Sequence, residues 1–136
     1  MDLGQSPFFT LLRTRLGQLS ERQRLISENI ANASTPGYKP RDLDTTAFER
    51  TLAAQGSGGT ARMLRTHPMH MTAAGATPGV QIVTRPDSET TIDGNQVVLE
   101  EEMARASETR MQFETGIALY QKGLQLLRLA VKAPGK

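Results

Sequence analysis

Few residues in this 136-residue chain have types and spacing that could do chemistry. His67 and His70, its only histidines, stand three apart in HPMH, a spacing that invites a metal reading. There is no cysteine, no acidic ligand lies beside the pair, and Pro68 breaks the helix that would align the two rings, so no structural zinc site is expected. Glu100, Glu101 and Glu102 are the only run of acids. Helix geometry spreads them around the axis, and a place in the first turns of a helix explains them through its dipole. The stretch Gly56-Ser57-Gly58-Gly59 lacks the lysine and the following helix of a phosphate cradle, and Asn32-Ala33-Ser34 is a glycosylation sequon without a secretory signal to support it. Hence no catalytic residue, metal, cofactor or small-molecule substrate is expected. What remains is NIANASTPGYK, residues 29–39, where an asparagine-rich helix end runs into Pro36-Gly37 and then an aromatic and a lysine.

The elements that position this stretch are legible from periodicity. Ser6-Pro7 is a helix start, with serine as N-cap and proline at the first helical position. From there Phe9, Leu12, Leu16, Leu19, Gln23, Ile26, Ile30 and Ala33 alternate steps of three and four, a heptad seam with one polar slot. A second seam opens near Val97 and runs through Leu99, Met103, Ala106, Arg110, Phe113, Ile117, Tyr120, Leu124, Leu127 and Val131, with Arg110 as its polar exception. Its acidic start and its basic end at Lys122, Arg128 and Lys132 match the helix dipole. Near that end Leu124, Leu126, Leu127, Leu129, Ala130 and Val131 make the helix apolar on more than one face, as for a segment that meets other chains.

Between these helices the signals are short. Thr46 with Glu49 reads as a capping box opening a helix over 46–55, ended by the glycine-rich linker. Val80 to Thr84 reads as a strand, and Asp93-Gly94 as a turn. Of 29 Leu, Ile, Val and Phe residues only eight fall in 34–96, too few for a substantial core. The expected fold is mainly α: two long terminal helices, within 1–33 and 97–136, form an antiparallel coiled-coil pair around a loosely structured middle, 34–96, containing a short helix and a short strand or hairpin. Two helices bury too little surface for a stable isolated domain, so neighbours are expected to complete the core.

The formal charge of +2 is spread along the chain, and the aromatics are not interleaved with basic runs, which argues against nucleic acid. The N-terminus has no basic, apolar and cleavage regions of a secretory leader, and no stretch reaches the roughly 18 apolar residues of a membrane span. Export, if it occurs, is expected to proceed without a cleaved signal.

The segment NIANASTPGYKPRDLD resembles the signature that ends the first helix of bacterial flagellar rod and hook proteins, an Asn-x-Ala-Asn run followed by Thr-Pro-Gly-Tyr-Lys. DGNQVVLEEEMA is similar to the Asp-Gly-Asn-x-Val-x-Leu-Glu segment that opens the last helix of the proximal-rod members, matched by Asp93, Gly94, Asn95, Val97 and Leu99. The resemblance spans nearly the whole chain. It implies a structural subunit of the proximal rod, the periplasmic drive shaft carrying torque from motor ring to hook. Its terminal helices would pack around the export channel, and the chain would leave the cell through the flagellar type III apparatus. The implied partners are copies of itself, the other proximal rod subunits, the rod adaptor protein FliE, the membrane ring and the export gate.

On the signature, Asn29 and Asn32 take the two asparagine positions, followed by the Ile30 seam position and by Thr35, Pro36, Gly37, Tyr38 and Lys39. Asn32 is placed to cap the helix, and Asn29 to bond backbone or a neighbour. Thr35 to Tyr38 fits a type II turn, and Pro40 holds Lys39 extended. Together they are expected to lead the chain along an adjoining subunit. Thr77-Pro78-Gly79 repeats the tripeptide without a helix before it or Tyr-Lys after it, so Thr-Pro-Gly alone is punctuation and the site lies in its flanks. Two alternatives stay open: another short rod subunit of the same family, and a basic helix binding membrane or nucleic acid through Arg13, Arg15, Arg22 and Arg24. The terminal helices are expected to be largely mobile in an isolated subunit and ordered in a rod.

Overall fold

Proline at the first helical position starts α1 (Pro7–Ala31) in a computed structural model of the chain, which describes residues 6–56 and 81–132. The order continues as β1 (Arg41–Leu43), α2 (Thr46–Gly56), β2 (Ile82–Thr84) and α3 (Leu99–Lys132). The His67 and His70 pair, the linker from Ser57, the second Thr-Pro-Gly and Val80 lie outside the described residues.

The two long helices pack antiparallel. Phe9, near the start of α1, meets Gly123 and stands edge-on to Tyr120 with ring centroids 5.3 Å apart, while Asn29 at the other end reaches Glu102. Phe9, Leu19, Leu25 and Ile26 are the buried apolar residues of α1. Leu43, Phe48 and Val97 extend this core beyond the helix pair, with the Arg15 guanidinium 5.0 Å from the centre of the Phe48 ring.

On α3 the face turned to α1 follows the expected seam only in part: Ala106, Phe113, Tyr120, Leu124 and Leu127 are half-buried. Its fully buried residues are Glu102, Thr109 and Gly116, spaced by seven, whereas Leu99, Met103, Ile117 and Val131 are exposed. The reason is close approach. A Cβ built on Gly116 would lie 2.8 Å from Leu16 Cδ2, and one on Gly123 would lie 3.1 Å from Phe9 Cζ. The large side chains of α1 seat over glycines of α3, and the helix turns its small residues inward so that the axes can approach. Counting large apolar residues alone places the contact to one side of this stripe.

Other differences are local. Ser6 makes no side-chain capping bond. The start of α2 is held by Asp44, whose Oδ1 accepts from the Thr46 N–H at 2.9 Å and from its hydroxyl, so an aspartate two residues earlier replaces the expected capping box. The 82–84 strand does not form a local hairpin. It pairs antiparallel with β1, with Arg41 opposite Thr84 and Leu43 opposite Ile82, tying the segment after α1 to the segment before α3.

Candidate functional site

Asn32 ends α1. Its backbone N–H and its Nδ2 both donate to the Glu28 carbonyl, at 3.1 and 2.8 Å, satisfying an acceptor that the last turn would leave open. Thr35 to Tyr38 then closes a turn with a 3.2 Å bond from the Tyr38 N–H to the Thr35 carbonyl, and Gly37 takes φ 69°. That value favours glycine at this position of a type II turn. A second turn, with Gly94 at φ 81°, lies against the first: the Gly37 N–H donates to the Asp93 carbonyl at 3.0 Å.

Asn95 joins the two turns. Its fully buried side chain donates to the Asn32 carbonyl at 2.9 Å and the Thr35 carbonyl at 2.7 Å, and accepts from the Val97 N–H at 2.8 Å. One side chain thus holds the end of α1 against the approach to α3. The Gln96 N–H donates to the Tyr38 carbonyl at 3.0 Å, a further tie between the same two segments.

Asn29 sits deeper, also fully buried. Its Oδ1 accepts from the Arg41 N–H at 3.0 Å and from the Tyr38 hydroxyl at 3.1 Å, and its Nδ2 donates to the Arg41 carbonyl at 2.8 Å and to Glu102 Oε2 at 3.1 Å. All the hydrogen-bonding capacity of a carboxamide is in use. By bonding both backbone groups of Arg41, the amide stands where a further strand would pair with β1. The turn therefore returns the chain along the flank of its own α1, and Asn29 and Tyr38 find hydrogen-bond partners within the same molecule.

Charge surrounds this amide. The Arg105 guanidinium reaches Glu102, Asp87 and Glu101, and Asp87 Oδ2 accepts the Val98 N–H at 2.8 Å at the start of α3. Burial is the largest influence on Glu102 and lifts its pKa above the ordinary glutamate value, against the opposing hydrogen bond from Asn29 and the charge of Arg105. At the other side of β1, Arg22 grips buried Asp42 through two bonds of 2.9 and 3.1 Å, and Arg85 approaches at 3.3 Å. Burial opposes the Asp42 charge, but the Arg22 bond, the Leu43 N–H and the two guanidiniums outweigh it and hold the pKa below the ordinary range.

Of the signature residues, Asn29, Asn32, Thr35, Gly37, Tyr38, Asp93, Gly94, Asn95 and Val97 come together in this knot. Pro36 and Lys39 are exposed, and so is Leu99. Glu102, Asp87, Arg105, Asp42 and Arg22 belong to the site and were not singled out for it from sequence. Glu102 carried one signal: it begins the heptad Glu102, Thr109, Gly116, Gly123 of non-apolar residues. The basic set on α1 is engaged within the chain, since Arg22 holds Asp42, Arg15 reaches Gln112 and Phe48, and Arg24 lies between Glu21 and Glu28. It presents no separate basic face.

The arrangement is a fastening of hydrogen bonds and ion pairs between the end of α1 and the approach to α3. A family described as "Flagella basal body rod protein" matches residues 11–39, most of α1 and the turn after it. The flagellar basal body rod protein FlgB of Cereibacter sphaeroides is 33% identical over 111 residues, covering 82% of this chain and 83% of that protein. FlgB of Salmonella typhimurium is 34% identical over 117 residues, 83% of this chain and 79% of the relative. FlgB of Aeromonas hydrophila is 29% identical over 125 residues, 91% and 92%. With more than 30% identity over more than four-fifths of its length, the chain belongs to the FlgB family of flagellar basal body rod proteins, structural subunits of the rod.

Proposed function

We propose that this subunit lies in the proximal part of the rod, the drive shaft between motor ring and hook, and that α1 and α3 pack against helices of neighbouring subunits around an export channel. Copies of the chain and other proximal rod subunits are the proposed neighbours, with the rod adaptor protein FliE, the membrane ring and the export gate at the base. The observation that carries this reading is the outer surface of α3. Met103, Met111, Leu119, Leu126, Leu129 and Val131 are exposed along its length, distributed around the faces that α1 does not cover. So much apolar surface on one helix marks an interaction site.

The knot suits that role. Torque passes through a subunit only if its two helices keep their relation under load, and Asn29, Asn95 and the Arg105 cluster tie the end of α1 to the start of α3 through bonds buried from water. The signature residues hold the subunit in shape, and the helix faces meet the neighbours.

The test replaces Leu126 and Leu129 by glutamine. Both side chains are more than half exposed, so the helicity of the purified chain is expected to stay unchanged while incorporation into rods and motility are lost. Normal rods and motility would overturn the reading.

A further inference from the structure

We propose that Asp93-Gly94 is a site of self-modification, silent in the folded subunit and active once the knot opens, at which aspartate becomes isoaspartate and the chain loses the ability to rebuild the knot. Such a mark acts on the single chain, whatever its place in the rod.

Asp93 is the only aspartate or asparagine in the chain that is followed by glycine. The backbone nitrogen after an aspartate can close a five-membered ring on the side-chain carboxyl, and glycine puts no side chain in the way. In the first step the Gly94 nitrogen bonds to Asp93 Cγ, while its own proton and the hydroxyl of the protonated carboxyl leave as water. Water then opens the cyclic imide. Cleavage between the nitrogen and Cγ restores aspartate. Cleavage between the nitrogen and the former main-chain carbonyl leaves isoaspartate, whose main chain runs through Cβ and Cγ. Nothing is oxidised or reduced, and Asp93 is exposed, so water reaches the ring.

The fold opposes each requirement of the first step. The Gly94 N–H donates to the Thr91 carbonyl at 2.9 Å, so the proton that must leave the nucleophile is engaged. Asp93 Oδ1 accepts from the Thr91 hydroxyl and from the Asn95 N–H at 3.2 Å. Ring closure moves the carboxyl oxygens as Cγ becomes tetrahedral, and both bonds resist that movement. The same bonds, the Thr91 hydroxyl first, hold the Asp93 pKa below the ordinary aspartate value, so the carboxyl stays ionised and lacks the hydroxyl that has to depart.

The reactive pair is a by-product of the knot, and the knot silences it. Gly94 is required by its φ of 81°, and a Cβ built on it would lie 3.5 Å from Gly37 Cα. Asp93 is required to hold the Asn95 N–H. Both are tied to the end of α1: the Asp93 carbonyl accepts from the Gly37 N–H at 3.0 Å, and the Asn95 side chain donates to the Asn32 and Thr35 carbonyls at 2.9 and 2.7 Å. Separation of the two turns therefore loosens the bonds that restrain the carboxyl.

The product does not fit back. Isoaspartate adds one carbon to the main chain and moves the carbonyl that receives the Gly37 N–H onto a side branch, as a carboxylate. Asn95 is pushed along by about 1.5 Å, the length of the added bond. Its amide meets two carbonyls at bonding distance, and hydrogen bonds do not survive such a displacement. A chain that closes promptly escapes the mark, and one left open carries it.

The test holds the purified full-length chain near neutral pH in plain buffer and in urea sufficient to unfold it. Isoaspartate at residue 93 is followed over time by peptide mapping with electron-transfer fragmentation. It is expected to form at least about tenfold faster in urea, since unfolding restores access to the attack geometry. Thr91→Val keeps the shape of the side chain and removes the hydroxyl, and in plain buffer it should raise the rate at least about threefold. Equal rates with and without urea would overturn the proposal, as would a folded Thr91→Val chain as slow as the unsubstituted one. Chain aged in urea is then returned to buffer and examined by hydrogen exchange. The Gly37 and Val97 amides, bonded to Asp93 and Asn95 in the knot, should be protected in the unmodified fraction and unprotected in the isoaspartyl fraction. Protection in both fractions would overturn the claim that the mark keeps the knot open.

Discussion

Replacing Asn29 by aspartate keeps the shape of the side chain and removes the two hydrogens that its Nδ2 donates to the Arg41 carbonyl at 2.8 Å and to Glu102 Oε2 at 3.1 Å. In their place a carboxylate oxygen faces two acceptors, one belonging to a fully buried glutamate. A buried polar group left without its partner costs about 1–3 kcal/mol, and like charge at this separation adds to the two lost bonds. The expected loss for Asn29→Asp at neutral pH is therefore about 3–5 kcal/mol, a large share of the 5–15 kcal/mol available to a domain. Acid should relieve it, because two carboxyls at hydrogen-bond distance can share one proton that replaces the missing amide hydrogen. Urea unfolding followed by circular dichroism is the assay, at pH about 7 and about 5, where the deficit should shrink by at least ~1 kcal/mol. A neutral-pH loss below ~1 kcal/mol, or a deficit that ignores pH, would refute the part given to Asn29.

Two further expectations come from the same contacts. Gly17 of α1 has nothing within 4 Å of a Cβ added there, while a Cβ on Gly116 would lie 2.8 Å from Leu16 Cδ2. Gly17→Ala should gain about 0.5–1 kcal/mol from helix propensity, and Gly116→Ala should lose stability despite the same propensity gain, as thermal denaturation of the two variants will show; equal gains would contradict the close approach. The pH profile of stability should rise on mild acidification before it falls. The pKa of Glu102 is raised above the ordinary 4.5 in the folded chain, so the folded state takes that proton more readily and stability increases as pH falls from neutral through the raised value. Asp42 is held below the ordinary 3.8, so its contribution is present above 3.8 and is lost as pH falls through the lowered value. A maximum on the acid side of neutrality is expected, with the rise absent in Glu102→Gln, and a steady decline from pH about 7 would contradict it.

Local features were legible in the sequence because their causes are local. Pro36 and Gly37 specify a turn by their own backbone preferences, Gly94 by its positive φ, and the two long helices by periods that need no knowledge of a partner. The partner of Asn29 is different in kind. It depends on Arg41, Tyr38 and Glu102 arriving from three directions, and nothing within four residues of Asn29 specifies them. Glu102 shows the same limit: a glutamate in the first turn of a helix satisfies the dipole rule whether it faces water or core. The face of α3 was legible only in part, for a related reason. Periodicity weighs Met103 and Ile117 by their hydrophobicity, but Gly116 and Gly123 decide the packing by having no side chain. The short β1 strand also escaped, because Arg-Asp-Leu has no alternation to reveal and is held by Asn29 and β2.

These particulars separate two roles within one subunit. Buried amides and carboxylates at one end make the two helices a single body, and the uncovered apolar faces of α3 leave that body incomplete. A subunit built in this way is folded enough to be specific and unsatisfied enough to assemble. Hydrogen exchange on the purified chain and on assembled rods tests this most directly. The amides of residues 119–132 should exchange rapidly in the monomer and at least about tenfold more slowly in rods, while those of Arg41, Val97 and Val98 are protected in both. Full protection of residues 119–132 in the isolated chain would contradict the claim that neighbouring helices complete the core.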